Sequence, residues 1–109
     1  MATSDARAAL DALGDPSRRT IVEILGGGQL SVGELADRLP ISRPAVSRHL
    51  RLLKDAGLVA DVAEGTRRVY RLRAAGVEAI RAYFATVWGE AAARYTLLAE
   101  NTDPRDEAR

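Results

Sequence analysis

The sequence predicts a mainly α-helical domain with one β-hairpin, in the order four helices, two strands and a long fifth helix. Three observations predict it. Apolar residues recur at three- and four-residue spacing in separate stretches bounded by capping residues. Between the fourth and fifth stretches the pattern changes to strand-like runs around Glu64-Gly65-Thr66. A chain of 109 residues with 47% hydrophobic content supports one core, so residues 1–100 are expected to form a single domain.

In chain order, residues 1–4 read as a loose start. Asp5 to Leu13 is Ala-rich and helical, closed by Gly14, with a small apolar side of Ala6, Ala9, Leu10 and Leu13 that needs a partner to pack on. Asp15 then caps a second helix with Pro16 in its first position, where the missing N–H costs nothing. This helix runs 17–25 with Ile21, Ile24 and Leu25 as its buried stripe, and Gly26-Gly27-Gly28 stops it. Arg18 and Arg19 read as solvated. Gln29-Leu30 is a short extended entry.

Ser31-Val32-Gly33-Glu34 is a capping box, the hydroxyl reaching forward and the carboxylate back. The helix it opens, 32–39, is expected to bury Val32, Leu35, Ala36 and Leu39 before Pro40 ends it. Only Pro40-Ile41-Ser42 separates it from the next helix, 43–56, so the two must cross sharply. That pair is a helix-turn-helix. Ser42 caps the second member, Pro44 lies in its first turn, and Gly57 stops it so that Leu58 folds back. Val46, Leu50 and Leu53 form its apolar stripe. Its other side carries Arg43, Ser47, Arg48, Arg51 and Lys54, with no acid nearby until Asp55. A short helix with a buried stripe and a cationic, hydroxyl-bearing face suits a DNA major groove.

The strands 58–63 and 67–73 then form a hairpin directly after the reading helix, which makes it a wing. Arg67 and Arg68 stand at its tip, where a phosphate backbone or minor groove would run; alternatively they only keep an edge hairpin soluble. From 74 to 99 the chain is one long helix. Its seam of Val77, Ile80, Phe84, Val87 with Trp88, Ala91, Tyr95 and Leu98 is longer than a small winged-helix core can cover. With Leu10 and Leu13 of the first helix, the seam reads as the contact of a two-fold homodimer. Residues 101–109 are charged, carry Pro104 and read as a disordered tail.

The charge distribution agrees. The net charge of +1 divides into −2 for residues 1–42, +5 for 43–73 and −2 for 74–109. The positive third is the footprint expected against a polyanion. There is no Cys, which removes disulfides and thiolate metal sites. No basic segment precedes an apolar run at the N-terminus, and no run approaches a membrane span, so a cytoplasmic location is expected. With one His, and with Gly26-Gly27-Gly28 lacking a following Lys-Ser/Thr, neither an enzyme, a cofactor nor a metal site is expected.

These motifs resemble a known family. Ala12-Leu13-Gly14-Asp15-Pro16-Ser17-Arg18-Arg19-Thr20-Ile21 resembles the opening of ArsR-type (ArsR/SmtB superfamily) winged-helix repressors. Ser31 to Ala36 resembles their support helix, and Ser42 to Leu53 their recognition helix. Ala56-Gly57-Leu58-Val59 followed by Glu64 to Leu72 resembles their wing. The resemblance implies a homodimer through the first and last helices that binds a two-fold operator and represses transcription, often of its own operon. It places base reading on Arg43, Ser47 and Arg48 and wing contacts on Arg67 and Arg68. Arg48 suits a bidentate contact to guanine; Arg43 suits a base or a phosphate; Arg51, Arg67 and Arg68 suit phosphates. His49, in the same helix, packs or touches a phosphate.

Metal-sensing members carry a Cys pair where this chain has Ser31 and Gly33, and residues 74–99 contain no His, so the resemblance is to the metal-independent branch. A small-molecule inducer pocket around Trp88–Tyr95 is a further reading. The alternatives are a winged-helix protein–protein interaction module and the MarR-type repressors, which are usually longer before the reading motif.

Overall fold

A computed structural model describes residues 2–100, with side chains from Asp5 onward. The elements are α1 (Ala2–Ala12), α2 (Pro16–Leu25), β1 (Leu30–Ser31), α3 (Val32–Asp37), α4 (Arg43–Asp55), β2 (Val59–Glu64), β3 (Arg67–Leu72) and α5 (Ala74–Glu100). The fold is a mainly helical winged helix-turn-helix with a β-hairpin wing and a long C-terminal helix. α1 is helical from Ala2, so the loose start expected at residues 1–4 is corrected. Met1 and the tail expected over 101–109 lie outside the described residues.

The helix starts follow from their caps. Asp15 Oδ1 accepts from Arg18 N at 3.1 Å. Ser42 Oγ accepts from Ala45 N at 3.3 Å. At α3 both halves of the capping box form: Ser31 Oγ accepts from Glu34 N at 3.2 Å, and Ser31 N donates to Glu34 Oε1 at 2.9 Å. Each satisfies amides that the first helical turn leaves without partners. α3 ends two residues before the expected Leu39. Its last turn tightens to three-residue bonds, Arg38 N to Leu35 O and Leu39 N to Ala36 O, ahead of Pro40. α4 stops at Gly57, whose φ of +80° is a left-handed conformation that side chains resist. Leu58 N then bonds back to Leu53 O, and Leu58 is buried.

The sheet has one strand more than the sequence suggested. Leu30 and Ser31 pair with Tyr70 and Val69, so β3 becomes the centre of a three-stranded antiparallel sheet, β1-β3-β2. A two-residue strand is too short to show alternation in the sequence. Structurally it matters, because a lone hairpin is marginal in water and a third strand anchors the wing on the helical body. Glu64 closes the hairpin opposite Arg67, so the turn is Gly65-Thr66 alone.

The core gathers Ile21 and Leu25 of α2, Leu35 of α3, and Val46, Leu50 and Leu53 of α4. Ala9 of α1 joins them, as do Leu58 and Val59 at the entry to the wing. The expected α4 stripe is therefore the centre of the core. Ala6 and Ala9 are fully buried, since α1 packs chiefly on α5.

Candidate nucleic-acid interface

With Val46, Leu50 and Leu53 facing inward, the helical repeat turns Ser47, Arg48 and Arg51 outward, and all three are exposed. Among the described residues, the side chains of Arg43, Ser47, Arg48 and Arg51 have no ion-pair or hydrogen-bond partner. Arg43 differs from the others in position. Its guanidinium folds over Gly33 of α3, in the space a Cβ there would take. The absence of a side chain at Gly33 therefore seats Arg43 across the two helices of the helix-turn-helix.

His49 does not share the exposed face. It is 8% exposed and lies three residues after Val46 and four before Leu53, so it sits on the edge of the apolar stripe. Its Nδ1 is 3.3 Å from Arg18 Nη1. A guanidinium can only donate, so in this contact Nδ1 is the acceptor. That burial fits packing, one of the two roles expected of His49.

Arg18 and Arg19, read as solvated, have structural work. Arg18 Nε donates to Ala12 O at 2.6 Å and Arg19 Nη1 to Leu13 O at 2.8 Å. They satisfy carbonyls that the end of α1 leaves without intrahelical partners. Arg18 thus links the end of α1 to the middle of α4. Basic residues one turn into a helix that follows a tight turn were the available signal for this.

The two wing arginines diverge. Adjacent residues on a strand face opposite ways. Arg67 turns toward α3 and lies between Glu34, at 3.1 Å, and Glu64, at 3.6 Å. Arg68 turns toward α4 and pairs with Asp61 at 2.6 Å. Asp61 also takes Lys54 of α4 at 2.7 Å, a pairing between elements that the spacing along α4 does not show. Accepting from both cations holds the Asp61 carboxyl below the usual carboxylate range and holds the Lys54 ammonium above its ordinary value. Glu34 is likewise held low, mainly by the Ser31 backbone N–H and hydroxyl and further by Arg67.

The seam expected for dimerisation splits in two. Leu13 and Ile80 pack partly against the chain's own core, and Leu10 is half-buried. Val77, Phe84, Val87, Trp88, Tyr95 and Leu98 are exposed, Trp88 and Tyr95 by 72% each. No residue of α5 is buried. Trp88, Ala91, Ala92, Tyr95 and Thr96 line a shallow hollow on this helix alone. No described helix is long and apolar enough to cross a membrane.

Comparison with known proteins fits this arrangement. Residues 13–62 match the family described as "Helix-turn-helix domain". Over 93 residues the chain is 50% identical to the HTH-type transcriptional regulator Rv2034 of Mycobacterium tuberculosis, covering 85% of this chain and 87% of that protein. The chain belongs to the ArsR/SmtB family of winged helix-turn-helix transcriptional regulators. It is therefore a DNA-binding regulator and not an enzyme. Within the family, an ArsR-like transcriptional regulator from Rhodococcus sp. RHA1 superposes with a TM-score of 0.78 at 28% identity, covering 94% of this chain and 96% of that one. The homodimeric winged helix-turn-helix DNA-binding domain of Mb0332 from Mycobacterium bovis superposes with a TM-score of 0.62 at 32% identity, covering 80% and 78%. Ser31 caps α3 and Gly33 accommodates Arg43, so both positions have structural roles here.

Proposed function

We propose that this chain is a dimeric repressor of the ArsR/SmtB family that reads a two-fold operator with α4 and grips the flanking backbone with its wing. The observation that carries the reading is the outer face of α4. Ser47, Arg48 and Arg51 stand exposed, without partners among the described residues, on a helix whose opposite face is the centre of the core. Unpaired cations on a rigid support are available to a polyanion at no cost in broken ion pairs. Arg48 reads a guanine through its paired N–H donors, Ser47 reads a base edge or phosphate at short range, and Arg51 contacts phosphate. Arg43, seated over Gly33, contacts the backbone near the start of the helix or an adjacent base. Arg68 contributes from the wing. Arg67, pinned between two acids, contributes less.

The dimer reading rests on α5. Its exposed apolar side chains need a cover, and the homodimeric domain of the M. bovis relative has the same fold. The hollow beside Trp88 is formed by one helix face, so a second copy fills it more simply than an inducer does. Two reading helices in such a dimer enter major grooves about 34–36 Å apart. Repression of the chain's own operon, in the cytoplasm, completes the reading.

The test is fluorescence anisotropy with two duplexes: one enriched by the wild-type protein from a randomised library, and a scrambled duplex of the same composition. A preference of about 10³ or more for the enriched duplex, reduced at least tenfold in Arg48→Ala, supports the reading. Equal, weak and strongly salt-dependent binding to both duplexes overturns it and favours the interaction-module alternative.

A further inference from the structure

The wing carries an acid where a surface that meets a polyanion has reason to avoid one. Asp61 lies midway along β2, on the face of the hairpin that turns toward α4. Its two oxygens are divided between the two elements: Oδ1 takes Lys54 Nζ of the reading helix at 2.7 Å, and Oδ2 takes Arg68 Nη1 of the wing at 2.6 Å. The side chain is only 9% exposed, against 54% for Lys54 and 58% for Arg68. The acid is the covered member, and the two cationic ends stand out from it. Among the described residues this is the only ion pair that joins α4 to the wing.

By charge alone Asp61 weakens DNA binding, because it offsets part of two cations. What it supplies is position. A carboxylate shared between two elements fixes the angle of the wing to the reading helix and the separation of Lys54 from Arg68. Neither cation is used up. An ammonium has three donors and a guanidinium five, and each commits one to Asp61. The others remain free for phosphate oxygens, with the side chains already ordered, so less rotamer freedom is lost on binding.

We propose that Asp61 is a positioning residue for operator recognition: it holds Lys54 and Arg68 as one preset clamp on the DNA backbone and so sets how the wing and the reading helix register on the duplex. The proposal rests on α4 and the wing being the DNA face. It makes a prediction opposite in sign to simple electrostatics, which is what allows it to be tested.

Asp61→Asn is nearly isosteric and makes the surface more positive by one charge. Its affinities for the enriched and scrambled duplexes are measured against wild type over a salt series. Asp55→Asn serves as the control, since it makes the same charge change at the exposed end of α4. The expected result is that Asp61→Asn binds the scrambled duplex as well as wild type or better, yet binds the enriched duplex more weakly, so the ratio falls about tenfold. Asp55→Asn leaves the ratio unchanged. In a Lys54→Gln/Arg68→Gln background, Asp61→Asn lowers the ratio no further. A ratio within about twofold of wild type in Asp61→Asn overturns the proposal, whichever way the two affinities move together. If far-UV circular dichroism shows that Asp61→Asn has lost helix, the Lys54→Gln/Arg68→Gln variant decides instead. Both of its side chains are over half exposed, and an unchanged ratio there is equally fatal. A wild-type protein with no preference between the duplexes overturns the DNA-reading assignment first, and the two failures are thereby distinguished.

Discussion

Trp88 is the only tryptophan in the chain and is 72% exposed on α5, so it both contributes to the proposed interface and reports on it. A buried tryptophan removes up to about 250 Å² from water, which leaves roughly 180 Å² of Trp88 for a partner to cover. At about 25 cal/mol per Å² this is worth some 4.5 kcal/mol in one copy. In a two-fold interface each copy presents the same residue, so the bookkeeping total is about 9 kcal/mol. Incomplete coverage and the ordering of interface side chains reduce such totals, and about half is a fair expectation. Trp88→Ala should therefore raise the dimer dissociation constant about a thousandfold. The monomer should be unaffected, since little of Trp88 is packed within its own chain and alanine is the strongest helix former.

Sedimentation equilibrium over a dilution series measures this shift. The wild-type protein supplies an internal check. Its tryptophan emission should move to longer wavelength on dilution, with the same midpoint as dissociation. Operator binding by Trp88→Ala should need proportionally more protein, because two copies must assemble on the duplex. The reasoning fails if wild type stays monomeric at every concentration reached, or if Trp88→Ala changes the dissociation constant less than about threefold. In either case the exposed seam of α5 meets something other than a second copy.

Three further outcomes follow from the same geometry. Arg51→Ala should lower the slope of log affinity against log salt by about one per protomer while leaving the preference for the enriched duplex unchanged; a changed preference with the slope intact would make Arg51 a base reader. His49→Leu should cost about 1 kcal/mol, a fall of some 4–8 °C in Tm, by leaving Arg18 Nη1 without its acceptor, and the salt slope should not move; a lower slope would place His49 on the DNA. Asp15, Glu34 and Asp61 are all held below their ordinary carboxylate values, Asp15 first by the Arg18 backbone N–H, Glu34 first by that of Ser31, and Asp61 first by Lys54. A depressed folded value means stability is fully present above the unfolded value and is lost as pH falls through the folded one. Tm should thus be level above about pH 5 and drop steadily below about pH 4, with a smaller drop in Glu34→Gln; a Tm unchanged down to pH 3 would contradict the sign.

The helix boundaries were legible because their causes are local. Asp15, Ser31 and Ser42 each cap the amide three residues ahead, and Gly57 supplies a left-handed turn on the spot, so no tertiary information is needed. The stripe of Val46, Leu50 and Leu53 was legible for the same reason, as a period within one helix. What stayed hidden depends on residues far apart in the chain. β1 exists because Leu30 meets Tyr70, forty residues on. Arg18 is half-buried because Ala12 O and His49 converge on it, and only the packing of α1, α2 and α4 brings them together.

The wing shows most clearly how far segment charge can be trusted. Residues 43–73 carry a net +5, and read along the chain they form one cationic block. Folded, the block divides. Lys54 and Arg68 share Asp61, and Arg67 lies between Glu34 and Glu64, so three of its eight cations are already committed. Strand alternation alone could have separated Arg67 from Arg68, since neighbours on a strand never share a face. Which acids would meet them could not be read, because Glu34 belongs to α3 and the register sets Asp61 opposite Tyr70, diagonally across from Arg68. The consequence bears on function. Free cations on α4 supply attraction to any duplex, whereas cations held by acids surrender attraction and keep a fixed direction. On the proposed reading, a regulator uses the first to find DNA and the second to hold its register there: Arg51 supplies attraction, Arg48 adds a base contact, and the Lys54–Asp61–Arg68 group fixes how helix and wing sit on the duplex.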